Sequence, residues 1–246
     1  MSRAGARALS FLLLMLTAAH ANAACPYSEL ISFGGYDWCV KRSNGKVGPG
    51  PNYYSDSANN VWVDTQDRLH LKITRSGGRW YCAEVVSADS FGFGAYRFYL
   101  DSPVDALDTN VVLGLFTWND DPAYNNREID IEFSRWGDPN DQNAQYVVQP
   151  YTLPQNITRF DMPTAINQSL HQFRWEGTAV SFRSVIGSDP MPLNPSAMIN
   201  EWVYAGPDVP QAGGENARIN LWLRGGQRPL DRLPVEIVVT RFEFVP

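Results

Sequence analysis

This sequence is poor in positive charge, in histidine and in cysteine, and no stretch of it keeps a helical period. Twenty Lys and Arg stand against 26 Asp and Glu, a net charge of -6. With no basic excess to neutralise phosphates, a nucleic-acid partner is not expected. Histidine occurs three times. His70 and His171 lie far apart and match no metal motif, so both are read as structural. The three cysteines, Cys25, Cys39 and Cys82, fit no zinc spacing. They allow one bridge and leave one thiol over. Alternation from Tyr36 and Trp38 turns Cys39 to the opposite face, where the N-terminal segment could reach it. Cys25–Cys39 is therefore the expected pair. Nothing in this inventory calls for a metal or another cofactor.

Long apolar runs are equally scarce. Ala8 to Ala19 is mostly apolar, but it is shorter than the roughly 20 residues of a spanning helix. Arg3 and Arg7 precede it and Ala21-Asn22-Ala23 follows, the pattern of a secretory signal peptide over residues 1–23. A lipoprotein reading, with Cys25 acylated, lacks a Leu a few positions earlier. The mature chain, 24–246, is expected to be one soluble domain, secreted or periplasmic, in an oxidising compartment. It has no membrane partner after cleavage, and a monomer is the expectation.

What the sequence does have is enough apolar material for a core, 44% of its residues, arranged in short alternating runs. Leu69, Leu71 and Ile73 alternate with polar residues, as do Tyr96, Phe98 and Leu100 with their neighbours. Further strands are expected at Val61–Asp64, Trp80–Val86, Val111–Trp118, Glu128–Ser134, Gln145–Gln149, His171–Trp175, Ala179–Ser184, Ile219–Leu223 and Val235–Phe244. Ser76-Gly77-Gly78 and Glu176-Gly177 read as hairpin turns. Many short strands with regular turns imply an all-β sandwich or barrel.

One of these strands is chemically unusual. In Glu128-Ile129-Asp130-Ile131-Glu132-Phe133 the carboxylates fall on one face and the apolar side chains on the other. A solvated outer face would normally mix signs, because like charges side by side destabilise a sheet. No Lys or Arg stands on the acidic face of this run. Glycoside hydrolysis makes use of such crowding. It needs one carboxylate as nucleophile or base and a second, protonated, as acid, and mutual repulsion raises one pKa so that a proton is held near neutrality. Glu128 and Glu132 would take these roles, with Asp130 accepting a hydrogen bond between them. Four residues of flat strand span about 13 Å, whereas a retaining pair of carboxyl groups sits about 5–5.5 Å apart. This chemistry therefore demands a curved sheet.

The hexapeptide resembles the active-site strand of glycoside hydrolase family 16, in the branch with an uninterrupted E-x-D-x-E motif that includes lichenases. Cys82-Ala83-Glu84, the run from Phe91 to Phe98, Leu113 to Trp118, Leu170 to Trp175, and Ile219-Asn220-Leu221-Trp222 resemble further family strands in the same order. The resemblance implies a concanavalin A-like jelly-roll β-sandwich with a concave sugar-binding cleft. It implies Glu128 as nucleophile, Glu132 as general acid then base, and Asp130 as assistant to the nucleophile. Glu84, Asn220 and Trp222 match sugar-contacting residues of the cleft. Tyr151 matches another, Gln149 stands where an Asn is usual, and Tyr54 matches an aromatic near the entrance. Lichenases carry Trp-Asp where this chain has Asn126-Arg127, and an Arg where it has Val86. Their disulfide partner for Cys82 is absent here.

Aromatic residues make up 13% of the chain, and flat rings stack on the apolar faces of sugars. Trp118, Trp136 and Trp222 lie in or beside the cleft strands, whereas Trp38, Trp62 and Trp80 are assigned to the core. The expectation is a secreted, retaining endo-β-glucanase acting on a β-1,3-1,4- or β-1,3-glucan without a cofactor. Two other readings use the same sandwich. A transglycosylase would keep all three acids and differ only in the acceptor. A carbohydrate-binding lectin would gain little from them.

Overall fold

The computed structural model describes residues 27–246. The expected signal peptide and Cys25 lie outside the described residues. In chain order the first strands are β1 (Glu29–Phe33), β2 (Tyr36–Val40), β3 (Tyr53–Tyr54), β4 (Val61–Val63), β5 (Leu69–Ser76), β6 (Arg79–Ser90), β7 (Gly94–Asp101) and β8 (Val111–Trp118). The rest are β9 (Ile129–Phe133), β10 (Ala144–Val148), β11 (Ile157–Phe160), β12 (Gln168–Glu176), β13 (Ala179–Ile186), β14 (Met198–Tyr204), β15 (Asn216–Leu223) and β16 (Val235–Val245).

One sheet runs β1-β2-β6-β15-β8-β9-β10-β11, and the other runs β4-β5-β16-β7-β12-β13-β14. They face each other as a jelly-roll β-sandwich. The hairpin tip of β5 and β6 bridges the two sheets. Its turn is Gly77-Gly78, with φ of 55° and 83°, a conformation that glycine adopts without the penalty of a Cβ. Short β3 adds to β6 in parallel, and the other strand pairs are antiparallel.

Alternation decides what fills the space between the sheets. Ile129, Ile131 and Phe133 of β9, Leu113 and Leu115 of β8, and Ile219 and Leu221 of β15 are fully buried there. They meet Phe98, Phe173, Phe182 and Phe242 from the opposite sheet. Trp38 is also fully buried, its Nε1 donating to the Phe33 carbonyl at 3.1 Å. Trp80 is half-buried against the same core. Trp62 is instead half-buried beside His70, stacked on its ring at 4.5 Å.

Strands β1, β11 and β14 are not evident in the sequence. Each stands at a sheet edge, where one side of the ladder is open and burial is shallow, so the apolar alternation is weak. Cys39 is disulfide-bonded and Cys82 is a buried free thiol, its pKa pushed up to about 12 by burial.

Both described histidines have structural partners. His70 joins Glu236 at 2.9 Å and Asp64 at 3.3 Å. His171 lies between the sheets with no solvent exposure. Its Nδ1 meets Ser184 Oγ at 2.7 Å and its Nε2 meets Ser169 Oγ at 2.8 Å, while its ring stands edge-on to Phe133. Burial holds its pKa down at about 3, from an ordinary 6.5. Because the folded value is depressed, the neutral ring's contribution is complete above 6.5. It is lost as pH falls from there toward 3, when the unfolded chain gains a proton that the fold refuses. Between pH 7.5 and 5 this one group should remove about 2 kcal/mol of unfolding free energy. His171→Gln should show a correspondingly flatter pH dependence than the wild type in urea denaturation. Parallel pH dependences for the two proteins would contradict this account.

Candidate active site

The outward face of the β9 sheet carries side chains in transverse rows set by register. One row reads Glu84, Asn220, Gly114, Glu132, Gln145, Arg159 across β6, β15, β8, β9, β10 and β11. The next reads Val86, Arg218, Phe116, Asp130, Val147, Ile157. A cavity of about 380 Å³ opens over these rows. Glu128, Asp130 and Glu132 line it together with Glu84, Asn220, Trp118 and Trp222. Gly114 keeps its floor open: a Cβ there would come within 2.5 Å of Asn220 Oδ1, which would have to move.

Glu128 stands just before β9, at the end of a tight turn. The three residues before it, Asn125, Asn126 and Arg127, have φ of 49°, 57° and 50°. Asparagine tolerates this left-handed region and arginine does so less readily. The turn persists because Arg127 is held from several sides. Its Nε donates to the Gln211 carbonyl at 2.8 Å, its guanidinium lies over Tyr124 at 4.1 Å, and its carbonyl accepts from Thr117 at 2.9 Å. The Asn-Arg pair in place of Trp-Asp is thus part of a twist that aims Glu128 into the cleft.

Burial raises the pKa of all three acids, and repulsion adds to it at Glu128 and Asp130. Glu128 reaches about 8, through burial first and then the charge of Glu132; a hydrogen bond with Asp130 and the Arg218 charge act in the other direction. Asp130, 3% exposed, is pushed well above the usual carboxylate range, by burial and then by the charges of Glu128 and Glu132. Glu132 reaches about 7 by burial, restrained by the Gln145 amide and the Arg159 charge. Gln145 donates to Glu132 Oε2 at 2.7 Å, and Gln149 donates to Asp130 Oδ2 at 3.1 Å. The cluster therefore holds protons near neutrality.

The remaining expected residues fall as follows. Gln149 touches Asp130, but it lies beside the cavity rather than in its lining. Tyr151 is 63% exposed on the turn beyond Gln149 and is not among the lining residues. Tyr54 is buried, its hydroxyl donating to the Pro49 carbonyl and its ring under Lys41. Trp136 packs edge-on against Trp222. Glu84 has no free carboxylate edge. Lys41 takes one oxygen at 2.8 Å and Arg218 the other at 3.3 Å.

Sequence reasoning missed Lys41, Arg218, Gln145 and Arg159. Arg218 stands directly opposite Val86 on the adjacent strand, so a guanidinium reaches this part of the cleft from β15 rather than from β6. The alternation of β15 around Asn220 and Trp222 was the available signal. Among the described residues no group of three His, Cys, Asp or Glu side chains is disposed to hold a metal ion.

No family model matches the chain, and none of the curated proteins is similar to it in sequence. Solved structures are similar to it. A Bacillus licheniformis β-glucanase aligns with a TM-score of 0.60 at 17% identity, over 85% of this chain and 92% of that one. A β-1,3-1,4-glucanase (lichenase) from a mouse hindgut metagenome aligns with a TM-score of 0.57 at 20% identity, over 85% and 92%. An immunostimulatory antigen and pseudo β-1,3-glucanase of Mycobacterium tuberculosis aligns with a TM-score of 0.62 at 19% identity, over 85% and 90%. At these identities the likeness shows the jelly-roll fold. It does not show activity, since a lichenase and a pseudo-glucanase share it.

The raised acids have a consequence for stability. The folded pKa of Glu128 lies above its ordinary 4.5, at about 8. Its contribution to stability is therefore full below 4.5 and is lost as pH rises through 8. Glutamine resembles the protonated form and does not titrate. Discounted for the group's partial exposure to the cleft, Glu128→Gln should be more stable than the wild type by about 1–2 kcal/mol at pH 8. The gain should shrink toward pH 4. Denaturant unfolding at the two pH values checks this, and a variant less stable at pH 8 would contradict it.

Proposed function

We propose that the protein is a retaining endo-β-glucanase of the glycoside hydrolase family 16 type, exported from the cell and acting on internal bonds of a β-1,3-1,4- or β-1,3-glucan. The observation that carries this reading is the acid cluster itself. Three carboxyl groups with raised pKa values share one cleft with two tryptophans. A binding protein gains nothing from ionisable groups held at such cost, whereas double displacement uses each of them.

In this mechanism Asp130, whose pKa is raised by burial and the neighbouring carboxylates, keeps its proton and donates it in a hydrogen bond to Glu128. That stabilises Glu128 as an anion able to attack the anomeric carbon. Glu132 protonates the departing glycosidic oxygen, then takes a proton from the water that releases the glycosyl-enzyme. Two protons shared among three carboxyl groups give the productive state. Burial raises both outer carboxyls, to about 8 for Glu128 and about 7 for Glu132. A glycosidic oxygen accepting from Glu132 selects the arrangement with the proton on that residue and the charge on Glu128. Trp118 and Trp222 line the cleft and offer aromatic surface to sugar rings. Export is supported by the N-terminal pattern of residues 1–23 and by the disulfide at Cys39. A transglycosylase would use the same residues with a sugar acceptor in place of water.

Three measurements test the reading together. Glu128→Ala should abolish cleavage of β-glucan, and azide should restore it as a glycosyl azide of inverted configuration. Glu132→Ala should lose about a hundredfold or more on the polymer while sparing the first step on activated aryl glycosides, whose leaving group needs no proton. Proton NMR of the first product should show the β-anomer. An α-anomer, or near-wild-type activity in Glu128→Ala, would overturn the assignment.

A further inference from the structure

The proton-bearing groups do not explain why an arginine two strands away is built toward the cleft. Arg159, on β11, is paired with the carboxylate of Asp141. Its Nε donates to Gln145 Oε1 at 3.0 Å. Gln145, on β10 and 5% exposed, donates through Nε2 to Glu132 Oε2 at 2.7 Å. Gln145 is the direct cross-strand neighbour of both Arg159 and Glu132. The chain Asp141, Arg159, Gln145, Glu132 therefore runs across three adjacent strands without a gap.

Its chemistry has a direction. A guanidinium only donates, so Arg159 commits the Gln145 oxygen to itself. The amide NH₂ is then the end that faces Glu132, and it also only donates. A proton on Glu132 Oε2 would stand against that N–H. The amide therefore occupies Oε2 as an acceptor and leaves the acidic proton to Oε1.

We propose that Arg159, braced by Asp141, is a positioning residue that fixes the Gln145 amide and thereby assigns the proton of Glu132 to the oxygen free to meet a glycosidic bond. The proposal rests on the glycosidase reading for its consequence in catalysis, but not for its geometry. The other charged groups lining the cavity with Glu132 are Lys41, Glu84, Asp120, Glu128, Asp130 and Arg218. None of these touches the Gln145 amide, so the effect of Arg159 through Gln145 is separable from theirs.

The experiment is a double-mutant cycle on the full chain, made from Arg159→Met, Gln145→Met and the pair. The Glu132 carboxyl carbon is followed by ¹³C NMR through a pH titration and assigned with Glu132→Gln. Arg159→Met should raise the Glu132 midpoint, and Arg159→Lys, which keeps a donor and a charge, should recover part of the shift. In the Gln145→Met background Arg159→Met should shift the midpoint much less, because the amide it orients is gone. The Arg159 charge also acts on Glu132 directly, so a smaller shift remains without the amide; a shift as large as in the wild-type background would mean that the relay carries nothing and would overturn it, as would an unmoved midpoint in Arg159→Met. On β-glucan, Arg159→Met should lose at least about tenfold more kcat than on an activated aryl glycoside. If Arg159→Met fails to fold, Gln145→Met and Arg159→Lys carry the same test, and each must move the midpoint upward for the relay to stand. A wild-type protein that cleaves no glycan, but whose Glu132 midpoint moves non-additively, would refute the enzymatic reading and leave the relay in place.

Discussion

Burying like charges next to one another is the constraint around which this molecule is organised. Glu128, Asp130 and Glu132 repel one another in a cleft that excludes much of the water. A fold that left them unsupported would be costly, since an unpaired buried charge is among the most destabilising features a protein can hold. The support comes from the flanking strands. Gln145 and Gln149 on one side supply neutral donors, which lower the cost of ionisation without cancelling the charge. On the other side the cations are already committed. Lys41 and Arg218 close on Glu84, so positive potential reaches the acids without a salt bridge that would hold them permanently ionised. The result is a cluster that exchanges protons near neutrality.

The sandwich carries this load through alternation. Each residue that turns a carboxylate outward is followed by one that drives an isoleucine or phenylalanine inward, and the inward set is fully buried against the opposite sheet. Apolar burial on one face of β9 offsets the electrostatic cost on the other. Register does the rest. Because Gly114 lies beside Glu132 and Asn220, the middle of the cleft has a floor without a side chain. The turn before β9 completes the arrangement by bringing Glu128 in from outside the strand, held by the many bonds of Arg127 and by the Gln149 N–H donating to the Glu128 carbonyl.

Much of this was legible in the chain. The period of two in Glu128 to Phe133 assigned the acids to one face and the core residues to the other, because a strand cannot do otherwise. The tight turn at Gly77-Gly78 was legible for the same local reason, as were the strand at Val111–Trp118 and the structural roles of His70 and His171. The edge strands β1, β11 and β14 were not, since their alternation is diluted by exposure. Nor were the roles of Lys41, Gln145, Arg159 and Arg218, which depend on residues tens to more than a hundred positions away.

The sequence by itself determined an all-β chain with three carboxylates on one side of one strand and tryptophans on strands near it. These are consequences of side-chain periodicity, which is local. Only the tertiary structure decided which donors meet which acid, that Glu84 is locked between two cations, that Tyr151 stands exposed outside the cavity lining, and that an arginine from β15 stands opposite Val86. Those outcomes follow from strand order and register between distant segments. A shift of one residue in any pairing would have turned the partner to the other face, and no local pattern records that choice.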